Sequence, residues 1–494
     1  MMKNSIIKQF FVIGAGTIIN MLLGVFTVPI ITRIVSPDIN GQFSLFDTYA
    51  NIAVMVLCLG LDQALVRYYY KSDEQNYKTT LLYKCLFLPI LISLFSLITF
   101  TFLIKYKVFN YDFGTSITVI LCFYILAQLI YRFSLLVIRL ESHSKLYSFL
   151  SINIKISYIV CFFLLLYTSK IDYLKILAIS ITVSVLISLV LSISFEKNIW
   201  NPNQINEEKF KISTKELLKY SVPFIFSMGI ATLFDAVDKL SLDYFSTYTE
   251  IGIYTGAIYL TNVFAIIQTT FNTIWSPMSI EHYEKDNSDK KFFEDANQYI
   301  TIIMFFFGLS LILFKDIFVY FLGESYREAA FILPFLLFRP IMYTISETTV
   351  CGLFFMKKTW HTVIIAAVSC LFNIVFNIIL IPIIGPKGAA ISTGLSYCLF
   401  FILRTHYSNK FYHIDIRPLK MTIITVLMIA FALYNTFNKI NLISISLYFI
   451  CLILICVLYK EHINKGIKIL KSHLNKTNSE KRDNLRTKNI KRTI

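Results

Sequence analysis

Charged residues are scarce in this chain of 494 residues: Asp, Glu, Lys and Arg make up only 15% of it, whereas 56% of the residues are hydrophobic. The mean hydropathy of +0.65 exceeds what a soluble protein carries. This composition excludes a soluble globular enzyme. Because about 20 apolar residues cross a hydrocarbon core of ~30 Å, the chain has room for many membrane spans but not for a large catalytic domain.

Motifs for soluble chemistry are also missing. The sequence has no Walker-type phosphate loop, so we expect no ATP hydrolysis by this chain. The seven histidines lack metal-ligand spacing, and we predict neither a metal site nor another cofactor. The nine cysteines lie within apolar runs without paired spacing, which predicts small core residues rather than disulfides.

The apolar runs predict an all-α polytopic membrane protein with about fourteen transmembrane helices. The predicted spans cover residues 10–32, 43–66, 80–104, 115–138, 146–168, 173–195, 217–242, 251–274, 299–322, 329–356, 360–384, 388–407, 419–437 and 440–459.

Loop charges orient these spans. With both termini inside, 32 of the 46 Lys and Arg residues fall in inner segments or the tail and nine in outer loops. Arg404 counts among the inner residues, and Lys315, Lys387 and Lys439 among the outer ones. In a soluble domain the net charge of +16 would suggest a nucleic-acid partner. Here most of the excess follows membrane topology, so the predicted partner is the lipid bilayer and not nucleic acid.

An internal repeat indicates two similar halves. Residues 37–52 resemble residues 248–263 at an offset of 211, which aligns Gly41 with Gly252 and Asn51 with Asn262. Residues 178–184 and 390–396 match at an offset of 212. Because the offset corresponds to an even number of spans, the two halves share one orientation in the membrane. The predicted parts are a six-helix lobe (1–195), a cytoplasmic linker (196–216), a second six-helix lobe (217–410), two appended helices (411–459) and a basic, largely disordered cytoplasmic tail (460–494).

Ionisable residues within the spans are candidate site residues, because a charge at bilayer depth is costly unless it faces protein or water. Helical spacing puts Asp235, Asp238 and Lys239 on one face of the seventh span. Similar polar stripes in other spans predict a hydrated central cavity. The candidates are the cations Lys239, Arg339, Arg132, Lys84 and Lys155, the carboxylates Asp235, Asp238, Asp47 and Glu347, and the amides Asn51, Asn262, Asn373 and Asn377.

Structural interpretations of several candidates remain open at this point. Asp235 and Lys239 are four residues apart and can satisfy each other locally. Asn373 and Asn377 can line the cavity or hydrogen-bond neighbouring helices. Asp62 lies near a span end, where an interfacial anchor is the favoured interpretation.

Three segments carry a resemblance to a known family. Residues 28–52, 59–70 and above all 373–397, NIVFNIILIPIIGPKGAAISTGLSY, resemble bacterial polysaccharide transport proteins, the Wzx-type flippases of O-antigen or capsule repeat units. This family shares an exporter superfamily with the MATE drug exporters and the lipid II flippases. The resemblance implies a two-lobed fold of fourteen helices in the bacterial cytoplasmic membrane.

The resemblance also implies a substrate, an undecaprenyl-diphosphate-linked oligosaccharide moved from the inner to the outer leaflet by alternating access. The cavity cations would then bind the diphosphate, and the carboxylates would bind a coupling H⁺ or Na⁺ or contact sugar hydroxyls. Polymerase and chain-length proteins of the same pathway are the implied partners.

Two rival functions remain. A cation-coupled multidrug exporter of the same fold would need a cavity dominated by acids, whereas deep cations are at least as numerous as carboxylates here. A membrane glycan polymerase or glycosyltransferase would usually carry acids or histidines in a sizeable loop, whereas the longest loops here are inner and mostly basic.

Overall fold

A computed structural model describes residues 2–105, 114–207, 210 and 212–468, and the regular structure within these ranges is helical throughout. The helices are α1 (Met2–Ile34), α2 (Pro37–Leu57), α3 (Leu61–Tyr68), α4 (Gln75–Lys105), α5 (Gly114–Leu140), α6 (Ser144–Thr168), α7 (Tyr173–Phe195), α8 (Thr214–Phe245), α9 (Tyr248–Lys285), α10 (Lys290–Leu313), α11 (Lys315–Phe318), α12 (Ala329–Leu336), α13 (Phe338–Thr349), α14 (Cys351–Phe355), α15 (Thr359–Ile384), α16 (Pro386–Asn409), α17 (Pro418–Phe437), α18 (Leu442–Leu458) and α19 (Lys460–Lys468).

The described helices confirm an all-α polytopic membrane protein. Eleven of them are long and apolar enough to cross a membrane, and the number rises to 13 if each of two bent helix pairs forms one span. The predicted span at 10–32 falls within α1, whose apolar stretch covers Leu22–Ile34. All nine cysteines are free thiols, and Cys456 is the one that is exposed.

One predicted span is broken and a second is divided into shorter helices, which the apolar pattern did not reveal. The span expected at 43–66 bends by 53° between α2 and α3, where Leu59 and Gly60 adopt φ of 51° and 67°. The span expected at 329–356 is divided among α12, α13 and α14. Pro340 lies one turn after the first break and has no N–H to continue the hydrogen-bond ladder of α12.

Side-chain caps fix the starts of the two helices that carry most of the candidate site. Ser213 accepts a hydrogen bond from the Glu216 N–H at α8, and Thr247 accepts one from the Glu250 N–H at α9. Both segments have the Ser/Thr-x-x-Glu pattern of a capping box. The caps therefore fix the residue at which α8 begins after the 196–213 segment and the residue at which α9 begins after the short connection from α8.

Helices α8 and α9 join the two parts of the chain. The charge pattern assigns the short α1–α2 and α8–α9 connections to the outside, and we call that end of the bundle the outer end and the opposite end the inner end. Helices α4 to α7 pack among themselves, as do α10 to α18, whereas α2 packs along both α8 and α9. Near the inner end, α3 also packs against α8.

The α2–α9 crossing is a backbone contact between residues that the repeat aligns. A Cβ atom on Gly41 would lie 1.9 Å from the Tyr248 carbonyl oxygen, and one on Gly252 would lie 1.8 Å from the Pro37 carbonyl oxygen. One turn further, the Thr255 hydroxyl donates to the Ser44 hydroxyl at 2.9 Å, across 211 residues of sequence. The outer halves of these helices can approach so closely because both crossing positions lack a side chain.

The first residues of the predicted tail are helical. Helix α19 lies at 77° to α18. Lys465 and His462 contact Asp295 of α10 at 2.7 and 3.4 Å. Residues 469–494, the rest of the predicted tail, lie outside the described residues.

The glycine crossing gives a stability prediction. We expect Gly41→Val and Gly252→Val to destabilise the protein by about 1–3 kcal/mol or more, because the new side chain meets backbone that has no room to move. Thermal unfolding in detergent measures the effect. Gly24→Ala is the matched control, because a Cβ at this helical position meets no atom within 4 Å. Equal melting temperatures for Gly41→Val and Gly24→Ala would contradict the proposed contact.

Candidate functional site

Asp238 lies at the centre of a buried polar cluster between four helices. Its carboxylate accepts hydrogen bonds from the Tyr254 hydroxyl of α9 at 2.6 Å and from Asn377 Nδ2 of α15 at 2.9 Å. The Thr393 hydroxyl of α16 donates a third bond. Asn373 Nδ2 in turn donates to Thr393 at 3.4 Å. The sequence made Asp238, Asn373 and Asn377 cavity candidates and left helix–helix hydrogen bonding open for the two asparagines. The structure brings the three residues together in one buried, hydrogen-bonded cluster.

The same cluster contains buried acceptors without donors. Within the described part of the chain, the amide oxygens of Asn373 and Asn377 have no hydrogen-bond partner, and both residues are fully buried. The amide nitrogen of Asn377 is used by its hydrogen bond to Asp238, and its oxygen remains free to accept. An unsatisfied buried acceptor costs roughly 1–3 kcal/mol. A carboxylate, two amide oxygens and a hydroxyl form an oxygen-rich set that suits a hard cation or a proton.

A second group of charges is accessible although it lies within spans. Arg339 of α13 contacts Asp235 of α8 at 2.5 Å, and their side chains remain 45% and 59% exposed. The Arg339 guanidinium also lies 5.6 Å from the ring centre of Tyr397. Asp235 therefore pairs with a distant helix and not with Lys239 one turn away. Exposure at this depth indicates an opening in the bundle.

Asp47 of α2 links this opening to the first half of the chain. It accepts hydrogen bonds from Asn51 Nδ2 at 3.1 Å and from the Tyr124 hydroxyl at 3.2 Å. Both Lys239 and Lys155 are within electrostatic range of Asp47. Lys155 of the first half thus interacts with Asp47, and Lys239 of the second half interacts with Asp47, Asp235 and Arg339.

Lys239 and Lys155 differ from the other basic residues of the site. Among the described residues, no carboxylate oxygen lies within 4.0 Å of either ammonium group. Lys155 also lines a cavity of about 720 Å³ with the predicted Asn262 and otherwise mainly apolar residues from α1, α9, α10 and α12. Two unpaired ammonium groups in an accessible region are suited to an anionic group on a molecule with a large apolar part.

Three predicted site residues lie apart from this group. Arg132 forms a 2.6 Å ion pair with Asp62, which is 3% exposed and is therefore not the interfacial anchor expected from its position. Lys84 lies over the Phe210 ring at 4.9 Å, near the 196–213 segment. Both residues are thus held near the inner end.

The third residue that lies apart is Glu347. It pairs with Arg404, which the loop charges had placed in an inner segment. Arg404 of α16 contacts Glu347 at 2.9 Å and the Ser346 hydroxyl at 2.5 Å, and it is 5% exposed. A signal was available, because Arg404 continues the helical spacing of Thr393 and Tyr397. The hydroxyls of Tyr124 and Tyr254 were also missed, because tyrosine is too common in this chain to stand out.

Comparison with known proteins gives the family. Residues 6–283, more than half of the chain, match the family described as Polysaccharide biosynthesis protein. The chain belongs to this family. The probable low-salt glycan biosynthesis flippase Agl15 of Haloferax volcanii is 24% identical over 221 residues. That match covers 43% of this chain and 46% of the relative, so the chain spans about half the length of this curated relative.

Solved structures show the same fold. The lipid II flippase MurJ in an inward closed conformation has a TM-score of 0.66 at 19% identity. The superposition covers 92% of this chain and 100% of the MurJ chain. An outward-facing MATE multidrug resistance transporter of the MOP superfamily has a TM-score of 0.55 at 14% identity, covering 83% of this chain and 95% of its own. The resemblance seen in the sequence is thus confirmed at the level of family and fold.

The two kinds of ion pair give a second stability prediction. Arg404→Met should cost about 3–5 kcal/mol, because it leaves Glu347 charged and buried without a partner. Arg339→Met removes an exposed pair and should cost about 1 kcal/mol or less. Thermal unfolding in detergent compares them. The double variant Glu347→Met/Arg404→Met should regain most of the loss, and a double variant as unstable as Arg404→Met would argue against a buried pair.

Proposed function

We propose that this protein moves undecaprenyl-diphosphate-linked oligosaccharide repeat units from the inner to the outer leaflet of a bacterial cytoplasmic membrane, for surface polysaccharide biosynthesis. The proposal rests on two ammonium groups, those of Lys155 and Lys239, that form no ion pair among the described residues. They lie beside the exposed ion pair of Arg339 and Asp235. Membership of the polysaccharide biosynthesis protein family supports this substrate class. The flippase names of the relative and of the structural neighbour agree with it.

The chemistry of the substrate matches the distribution of groups. Lys155 and Lys239 supply cations for the diphosphate, and Arg339 can exchange Asp235 for a phosphate oxygen without moving far. Asp47, Asn51 and Asn262 supply acceptors and donors for sugar hydroxyls. The polyprenyl chain stays in the bilayer. A lipophilic cation, the substrate of a drug exporter, would instead meet two unpaired ammonium groups, which disfavours that alternative.

Alternating access requires the two halves to separate at one end while they meet at the other. We assign lobes at 1–195 and 217–410, joined by the linker at 196–216 and followed by two appended helices at 411–459. At the outer end the glycine crossing of α2 and α9 closes the path, and the Gly323 N–H donates to the Thr32 hydroxyl at 3.1 Å. Opening outward would break these contacts as the lobes rock.

The Asp238 cluster is the proposed site of a coupling H⁺ or Na⁺. Tyr254 donates to Asp238 from α9, and its neighbours Gly252 and Thr255 contact α2 across the lobe boundary. A cation at Asp238 would therefore change the hydrogen bonding of the helix turn that makes the outer contact. Membrane potential adds a driving force of about 2.3 kcal/mol per charge and 100 mV.

The orientation follows from the loop charges. Both termini and the linker are assigned to the cytoplasm, because 32 of the 46 basic residues then lie on the inner side or in the tail. The substrate would thus enter from the side on which it is assembled. Polymerase and chain-length proteins on the outer side are the proposed recipients of the product.

Depletion of the protein tests the function directly. We expect lipid-linked oligosaccharide to accumulate on the cytoplasmic leaflet, as measured by its protection from an impermeant glycan-modifying reagent in intact cells. Normal translocation with failure of chain extension would instead identify a polymerase. Normal translocation with a loss of drug resistance would identify a drug exporter.

Complementation of the depleted cells tests the residues. Lys155→Gln and Lys239→Gln should each lower translocation at least about tenfold, because a charge-assisted hydrogen bond contributes roughly 1.5–3 kcal/mol. Lys84→Gln is the matched control, since Lys84 lies over Phe210 away from the cavity. Membrane levels of the protein should be unchanged. Full activity of both Lys155→Gln and Lys239→Gln would refute the assignment of the cavity.

Cation binding has its own test in purified protein. Replacing choline by Na⁺ should raise the melting temperature of the wild type, since a ligand that binds the folded state stabilises it. Asp238→Asn should abolish this response, whereas Asp62→Asn, which changes another buried carboxylate, should retain it. If the ion is a proton, binding of substrate should change proton uptake in the wild type and not in Asp238→Asn. A Na⁺ response that survives in Asp238→Asn would exclude this site.

A further inference from the structure

Three lysines converge at the outer end of the bundle, although only nine basic residues are expected in all outer loops. Lys315 follows α10, Lys387 opens α16 and Lys439 lies between α17 and α18. The Lys315 ammonium lies 4.5 Å from the centre of the Phe331 ring, and the Lys387 ammonium lies 4.9 Å from the same ring. Lys439 is exposed and within electrostatic range of Lys315.

This cluster has more cations than its acids can neutralise. Asp316 contacts Lys315 at 3.2 Å and also accepts the Ile440 N–H at 2.8 Å. Among the described residues, no carboxylate forms an ion pair with Lys387 or Lys439. Glu250 approaches the turn at Gly385, but its carboxylate accepts a hydrogen bond from Ser246.

The excess of positive charge is energetically costly because Lys315 is buried. Its side chain is 0% exposed, although lysine is rarely buried without full pairing. Burial lowers the pKa of Lys315, Asp316 raises it, and the neighbouring Lys387 and Lys439 lower it further. An anion at the surface beside Lys387 and Lys439 would stabilise their ammonium groups and offset their repulsion of the buried Lys315.

The surroundings indicate what kind of molecule carries that anion. Large apolar side chains next to the cluster are exposed, among them Phe314 at 42%, Ile317 at 56%, Phe437 at 49% and Leu442 at 78%. Exposed apolar groups beside cations at a span end are typical of the boundary between hydrocarbon and headgroups. A soluble anion would make no use of these apolar neighbours, whereas a lipid would occupy both parts.

We propose that Lys387 and Lys439, next to the buried Lys315, form a binding site for the phosphate of an anionic phospholipid in the outer leaflet, with its acyl chains against the exposed apolar residues. The site joins the connections after α10, before α16 and after α17. A bound lipid would therefore hold these three connections together at the outer end. This inference depends on the membrane-spanning fold and not on the transported substrate.

Native mass spectrometry of the full-length protein tests the site. Protein purified in detergent is incubated with phosphatidylglycerol, with zwitterionic phosphatidylcholine, or with undecaprenyl diphosphate. We expect the wild type to retain phosphatidylglycerol in preference to phosphatidylcholine. Lys387→Gln/Lys439→Gln should bind one phosphatidylglycerol fewer. Lys315 is left intact because its substitution in the buried position endangers folding.

Lys170→Gln/Lys175→Gln is the matched control, because it removes one charge from the α6–α7 connection and one from the first turn of α7, at the same end. It should bind phosphatidylglycerol like the wild type. Equal loss in both double variants, or no loss in Lys387→Gln/Lys439→Gln, would overturn the proposal. Displacement of phosphatidylglycerol from the wild type by undecaprenyl diphosphate would also overturn it, in favour of a product site. Equal melting temperatures without added lipid would show that both double variants are folded.

Discussion

The contact between α2 and α9 is the interaction on which the rest of the structure depends. In a bilayer, apolar side chains gain little by leaving lipid for protein, so close packing and hydrogen bonds must hold helices together. Gly41 and Gly252 allow the two backbones to touch, and the hydroxyls of Ser44 and Thr255 add a hydrogen bond across the boundary. These positions correspond to each other in the internal repeat. The halves of the chain therefore meet through their own equivalent residues.

This crossing also relates the buried polar cluster to the boundary between the halves. Asp238 belongs to the second half and lies away from the opening, but its partner Tyr254 belongs to the helix turn that contacts α2. A change in the protonation or ligation of Asp238 acts on α9 at its closest approach to α2. The proposed coupling needs no longer path, because ion site and helix contact share one turn of helix.

The charges within the spans divide into two kinds according to whether a neighbouring helix neutralises them. Arg404 with Glu347, and Arg132 with Asp62, are ion pairs whose acids are largely buried, and they stabilise packing near the inner end. Lys155 and Lys239 lie near acids without pairing to them. An unpaired ammonium at this depth is costly to the folded protein, and the proposed phosphate-bearing substrate would offset that cost. The presence of an ion-pair partner therefore separates the packing residues from the proposed binding residues.

The sequence by itself determined the class of the protein, the approximate position of most spans, and the repeat. These properties depend on local composition and periodicity, because an apolar run must be long enough to cross the hydrocarbon core of the bilayer. It also identified Asp238, Asn373 and Asn377 as polar residues within spans, but not that they surround one another. Only the tertiary structure decided that Asp235 pairs with Arg339 and not Lys239, that Arg404 is buried, and that the second span is bent at a break. Helical periodicity gives the face on which a residue lies, whereas pairing depends on which helix packs against that face.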